Sequence, residues 1–248
     1  MYDVDAVFAA VDDRTVLFLA LGALALACNW YYFFECQRLA RRDRCAPMAL
    51  WATTAFMGHD GSYLLNYDDW FNRYDHWFPQ LFWVGLIVTF TFECIFFVQT
   101  VRYGREENAP GMSQPQWVAY CLGALVTGVV FWSVVRTYLD DPLYLMTFLV
   151  TFGMCAPATL GLMVRRGDRR GVGAGQLWAY LGIGVFYVGL TSIVLRGPFA
   201  DTVFLLGGAV CMALAATMLV VYNRMPEHVV KELPRHSSLA PRAARGVL

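Results

Sequence analysis

Apolar residues run along this chain in long unbroken blocks, separated by short clusters of Arg and Asp. Blocks such as "VLFLALGALALAC" do not alternate apolar with polar positions, which excludes the strands of a membrane β-barrel. Seven blocks of helical length are legible, at 14–36, 46–66, 80–102, 116–138, 142–165, 174–195 and 198–223. Each comes close to the roughly 20 residues a helix needs to cross about 30 Å of hydrocarbon. The expected fold is all-α, a polytopic membrane bundle of seven transmembrane helices over residues 1–224, with a flexible cytoplasmic tail over 225–248.

Charge sets the expected orientation. Arg38, Arg41, Arg42, Arg44, Arg102, Arg105, Arg165, Arg166, Arg169, Arg170, Arg224, Lys231, Arg235, Arg242 and Arg245 fall on one side of the blocks. Only Arg14, Arg73, Arg136 and Arg196 fall on the other. Basic loops stay in the cytoplasm, so the N-terminus is expected outside and the C-terminus inside. The acidic stretch "MYDVDAVFAAVDDRT" ahead of the first block is unlike a signal peptide, so that block is read as a retained helix.

Composition agrees with a multi-pass integral membrane protein, in the plasma membrane if the source is bacterial. Of the 248 residues 58% are hydrophobic and 15% charged, and the mean hydropathy is +0.46. No basic stripe with interleaved aromatics lies outside the blocks, so no nucleic-acid partner is expected. The seven cysteines form no CxxC pair, and neither a disulfide framework nor a zinc site is indicated. The four histidines are scattered, and no metal or other cofactor is expected.

A few polar positions interrupt the blocks: Asn29, the pair His59 and Asp60, and Glu93. A carboxylate at the bilayer centre costs at least about 2.5 kcal/mol, so such groups face the bundle interior, pair, or stay protonated. Counting from the block midpoints separates Asp60 and Glu93 by roughly 9 Å along the membrane normal, close enough to line one cavity. Asn29 falls near Glu93 in depth. His59 admits two readings, a ring that orients Asp60 or one that closes a local hydrogen bond.

Around these positions the chain is rich in rings: Trp30, Phe33 and Tyr63 lie near them in sequence, and Trp70 sits in the outer loop "YDDWFNRYDHWFPQ". That loop reads either as an interfacial aromatic belt or as a cover over a cavity mouth. A dry acid beside aromatic faces suits protonation of an alkene or epoxide, since the π-face stabilises the resulting cation. Asp60 and Glu93 are therefore the candidate catalytic residues. Asn29, Trp30, Phe33, His59, Tyr63 and Trp70 are the candidate pocket residues.

Two seven-helix chemistries are excluded. A retinal Schiff base needs an intramembrane lysine, and the only lysine is Lys231. Metal-bound diphosphate chemistry needs a DDxxD-type motif, and the pairs beginning at Asp12, Asp68 and Asp140 all fall at the outer side.

With its aromatic first block holding "NW" (Asn29, Trp30), the turn "RDR" (Arg42, Asp43, Arg44), then "MA" (Met48, Ala49) and an acid in the second block, the chain resembles the small seven-helix membrane terpene cyclases of fungal and bacterial meroterpenoid pathways. The likeness covers residues 29–66; beyond them it is one of topology. It implies a metal-independent class II type cyclase acting on an apolar prenylated small molecule, with Asp60 at the position of the acid proposed to take part in protonation. Two departures stand out. The family has Trp where this chain has His59, and a second acid within the last helix, so that either Glu93 takes over that role here or the mechanism differs. The alternative reading is a proton-coupled small-molecule carrier that uses the same two acids.

Overall fold

The structure is a computed structural model and describes residues 2–228. The described residues are helical, with no strand among them. The tail expected from Met225 onward, with Lys231, lies outside them except for its first four residues.

A short amphipathic helix, α1 (Val4–Asp13), is capped by the Asp3 side chain on the Ala6 amide at 3.1 Å. It precedes α2 (Thr15–Asp43), α3 (Leu50–Leu64), α4 (Trp77–Tyr103), α5 (Arg105–Asn108), α6 (Gln114–Leu139), α7 (Leu145–Arg166), α8 (Ala174–Gly189) and α9 (Thr202–Arg224). α8 runs on through a π-helical turn, Leu190–Leu195. Local chemistry sets the ends. Ser113 and Gln116 form a capping box at the start of α6, with Pro115 in its first turn. Gly167, at φ +70°, ends α7 as glycine can and closes back onto the Met163 carbonyl.

Six helical segments are long and apolar enough to cross a membrane: α2, α4, α6, α7, α8 with its π-helical extension, and α9. The exception is the block expected over 46–66. Its helix, α3, has 15 residues, which at 1.5 Å each falls short of the hydrocarbon thickness. After Leu65 the chain turns and forms a π-helical turn, Asp69–Arg73, instead of continuing. α3 is enclosed by its neighbours: Ala52, Thr53, Thr54, Ala55, Gly58, His59, Asp60 and Tyr63 are all buried.

α3 packs along α6 and α4, α2 packs on α8, and α9 closes the bundle against α7 and α8. The α3–α6 crossing is backbone on backbone. A Cβ added to Gly58 would lie 2.6 Å from the Gly128 carbonyl oxygen, so neither residue tolerates a side chain there.

The basic clusters gather at one end. Arg166, whose side chain is 1% exposed, donates to both oxygens of Glu107 at 2.5 and 3.0 Å and to the carbonyl of Ala46 at 2.7 Å. Asp43 of the "RDR" turn accepts from Arg42 and from the Gly171 amide. These links tie α5, α7 and the α2–α3 turn together. Burial pushes the Glu107 carboxyl up, but hydrogen bonds and charge from Arg166 outweigh it and hold it below its usual value. An acid depressed in the folded state stabilises above its unfolded value of about 4.3, and that contribution is lost as pH falls through the lower folded value. The unfolding temperature of the solubilised protein is expected to fall as pH drops from about 5 toward 3, and Glu107→Gln should flatten that fall while lowering stability at pH 7. Parallel profiles for the two proteins would show that the pair contributes nothing.

Candidate functional site

Asp60 and Glu93 face each other across α3 and α4, 3% and 1% exposed. Their surroundings differ. Asp60 is a filled acceptor: Oδ1 receives a hydrogen bond from His59 Nδ1 at 2.9 Å and one from the Tyr144 hydroxyl, while Oδ2 receives one from Thr89 Oγ1 at 3.0 Å. Thr89 and Glu93 lie one turn apart on the same face of α4, so that helix presents both to Asp60. The Glu93 carboxyl lies within hydrogen-bonding reach of Asp60, and no other group donates to either of its oxygens. A buried carboxyl that receives no hydrogen bond from a donor normally costs about 1–3 kcal/mol or more, which sets Glu93 apart from Asp60.

His59 is wedged among rings, with centroids 4.3 Å from Tyr144, 4.5 Å from Trp132 and 5.2 Å from Tyr63. Its Nδ1 faces the carboxylate, so the hydrogen-bonded tautomer carries the proton there, and the ring orients Asp60. Nε2 has no partner, and neither does Trp132 Nε1. The glycine crossing brings these groups together, because Trp132 lies one turn beyond Gly128 and His59 follows Gly58 directly.

Tyr144 links the acids to open space. It occupies the left-handed region at φ +71°, just before α7, a conformation that costs a tyrosine about 1–3 kcal/mol. The preceding turn holds it there. Asp141 accepts from the amides of Leu145, Met146 and Thr147 at 2.9, 2.9 and 2.7 Å, and also from the Tyr2 hydroxyl. Burial, reinforced by the Asp141 charge, pushes the Tyr2 phenol well above its usual value and keeps it a donor.

From this position the Tyr144 hydroxyl bonds Asp60 while its side chain lines a cavity of about 240 Å³ between α2, α4, α7 and α8. The walls are largely apolar, with Phe78, Phe82 and Phe148 among them; Asn29 and Tyr187 are the other polar side chains on the wall, and the Tyr187 hydroxyl is taken up by the Leu145 carbonyl. Leu19 and Leu81, which also line it, are exposed on the outer surface of the bundle, so the cavity opens toward lipid.

Compared with protein-family models, curated proteins and solved structures, the chain finds no match.

Several of the candidate pocket residues lie elsewhere. Neither acid lines the cavity wall; Tyr144 stands between it and Asp60. On α2 the cavity face runs Phe18, Gly22, Leu26 and Asn29 in steps of three and four, so Trp30, about 100° round from Asn29, points outward and is exposed. Phe33 lies a turn further along and packs on Phe92 and Phe96 in the core. Tyr63 donates to the Asp141 carbonyl at 2.8 Å and packs edge-on against Tyr144, as a support for it. Trp70 is wholly buried, with Nε1 donating to the Pro142 carbonyl at 2.9 Å and its ring stacked on Phe82. Trp70 is thus packed into the bundle beside the site, while Tyr67 of the same loop is exposed.

Tyr144, Thr89 and Trp132 are absent from the set picked out by sequence. Thr89 carried a signal, its i, i+4 spacing to Glu93. Tyr144 carried a weaker one, the "DDP" that marks a helix start three residues before it.

Proposed function

We propose that this chain is a membrane-embedded terpene cyclase of the metal-independent class II type, in keeping with its resemblance to the small seven-helix cyclases. In this reading α3 is the seventh crossing, its short length tolerated because protein and not lipid surrounds it, and the arginine-rich end faces the cytoplasm. The observation that carries the reading is Tyr144, one side chain that hydrogen-bonds Asp60 of the buried acid pair and also lines an apolar cavity open toward lipid.

The roles follow from the hydrogen bonding. Glu93, dry and with no neighbour in reach but the Asp60 carboxyl, holds the proton, since its neutral form needs no stabilisation by donors. Asp60, with three donors, takes that proton from Glu93 and passes it to the Tyr144 oxygen as the Tyr144 hydroxyl proton goes to the substrate. The acceptor is a terminal alkene carbon or an epoxide oxygen of a linear prenyl chain in the cavity. The next double bond attacks the cation, and the faces of Phe78, Phe82 and Phe148 stabilise the positive charge as rings close. Loss of a C–H proton through Tyr144 restores the acid pair, so the product is an isomer of the substrate.

The carrier reading uses the same acids but comes second, because the cavity offers a water-soluble cargo little beyond Asn29, Tyr144 and the already bonded Tyr187 to recognise. The test is incubation of the purified chain in nanodiscs with farnesyl- and geranylgeranyl-bearing acceptors and their terminal epoxides, with EDTA, read by mass spectrometry and NMR. A cyclic product of unchanged mass is expected. No conversion across that panel by folded protein would overturn the proposal and direct the next experiment to proteoliposome uptake.

A further inference from the structure

A second cleft, of about 510 Å³, lies at the arginine-rich end and is separate from the acid pair. α3 packs closely on α6 and only lightly on α7, so α6 and α7 stand apart with a gap between them. Ala124, Gly161 and Trp51 line it, and a Cβ built on Gly161 would meet no atom within 4 Å. Trp51 and Tyr120 are exposed on its walls, at the end of the bundle where amphipathic rings meet a headgroup layer.

The rim carries more positive than negative charge. Arg165, 45% exposed, donates to Asn108 Oδ1 at 2.9 Å and lies 3.6 Å from Glu107. Glu107 is already held through both oxygens by Arg166, so two guanidinium groups share one carboxylate. An anion seated at the mouth completes that balance, and an apolar chain attached to it fills the gap below.

We propose that this cleft is a binding site for an anionic phospholipid, with the phosphate on Arg165 and an acyl chain between α6 and α7. The charge complementarity at Arg165 commits the site to an anionic headgroup, and the open wall at Gly161 commits it to a chain. The inference stands apart from the reaction proposed above.

The test is native mass spectrometry of the purified full chain in a neutral detergent, titrated with phosphatidylglycerol and with phosphatidylcholine of the same chains. Phosphatidylglycerol is expected to bind about tenfold more tightly, a difference of roughly 1.4 kcal/mol. Arg165→Gln should bring the two lipids to parity while Arg165→Lys retains the preference. Gly161→Phe, which fills open space, should abolish binding of both lipids with the unfolding temperature unchanged. Equal binding of the two lipids by the wild-type chain, or a preference that survives both Arg165→Gln and Gly161→Phe, would overturn the proposal. So would inorganic phosphate displacing the lipid as well as a second lipid does, since the chain would then contribute nothing.

Discussion

Asp60→Asn is expected to lower cyclisation by about two to four orders of magnitude, the usual contribution of a positioned acid–base group, with little change in stability. The amide keeps an acceptor for His59 and Tyr144, and Thr89 can turn its hydroxyl toward the Leu86 carbonyl, which it already reaches at 3.1 Å. Glu93→Leu should separate activity from stability. It removes the proton source and activity with it, yet it also removes a buried carboxyl that receives no hydrogen bond from a donor and crowds a second carboxyl, and so should stabilise the fold by about 1–3 kcal/mol. Activity gained against stability is the signature of a functional site. Turnover by mass spectrometry and unfolding temperature by fluorescence, measured on both variants, check this. An active Asp60→Asn protein would remove the acid from the mechanism. A Glu93→Leu protein that turned over normally but unfolded early would make Glu93 a structural group.

The largest expected loss of stability comes from a single methyl group. In Gly128→Ala the new Cβ points at the backbone of Thr54 and Ala55, which cannot rotate away, so α3 and α6 must separate at a cost of about 2–3 kcal/mol. Gly123→Ala, on the same helix with nothing within 4 Å of its Cβ, is the control, expected to be neutral or slightly stabilising. Because His59 and Trp132 flank this crossing, Gly128→Ala should also depress turnover through the orientation of Asp60. Equal unfolding temperatures for the two alanine variants would refute the tight crossing.

Most of the scaffold could be read from the sequence because its signals are strong and local. Long apolar blocks give six of the expected crossings, and the arginine clusters mark one end of the bundle. Asp60 and Glu93 stand out because a carboxyl in an apolar helix is costly wherever its partners lie. What escaped was set by tertiary contacts. The length of α3 is decided by a turn at Leu65 and Asn66 within a stretch whose composition still reads as helix. The role of Tyr144 depends on a left-handed backbone that Asp141 stabilises from three residues away, and no propensity encodes that. Trp30 and Phe33 were drawn to the pocket by nearness in sequence, whereas the helical period turned one outward and buried the other a turn away.

The tie between Tyr2 and the turn before α7 has a practical side. The Tyr2 ring packs on Phe199, and its hydroxyl both donates to Asp141 and accepts from the Leu143 amide, so Tyr2 is fastened to the segment that positions Tyr144. A purification tag fused directly ahead of Tyr2 would crowd that anchorage and perturb the site from some distance. Handles and fusion partners for expression therefore belong away from Tyr2.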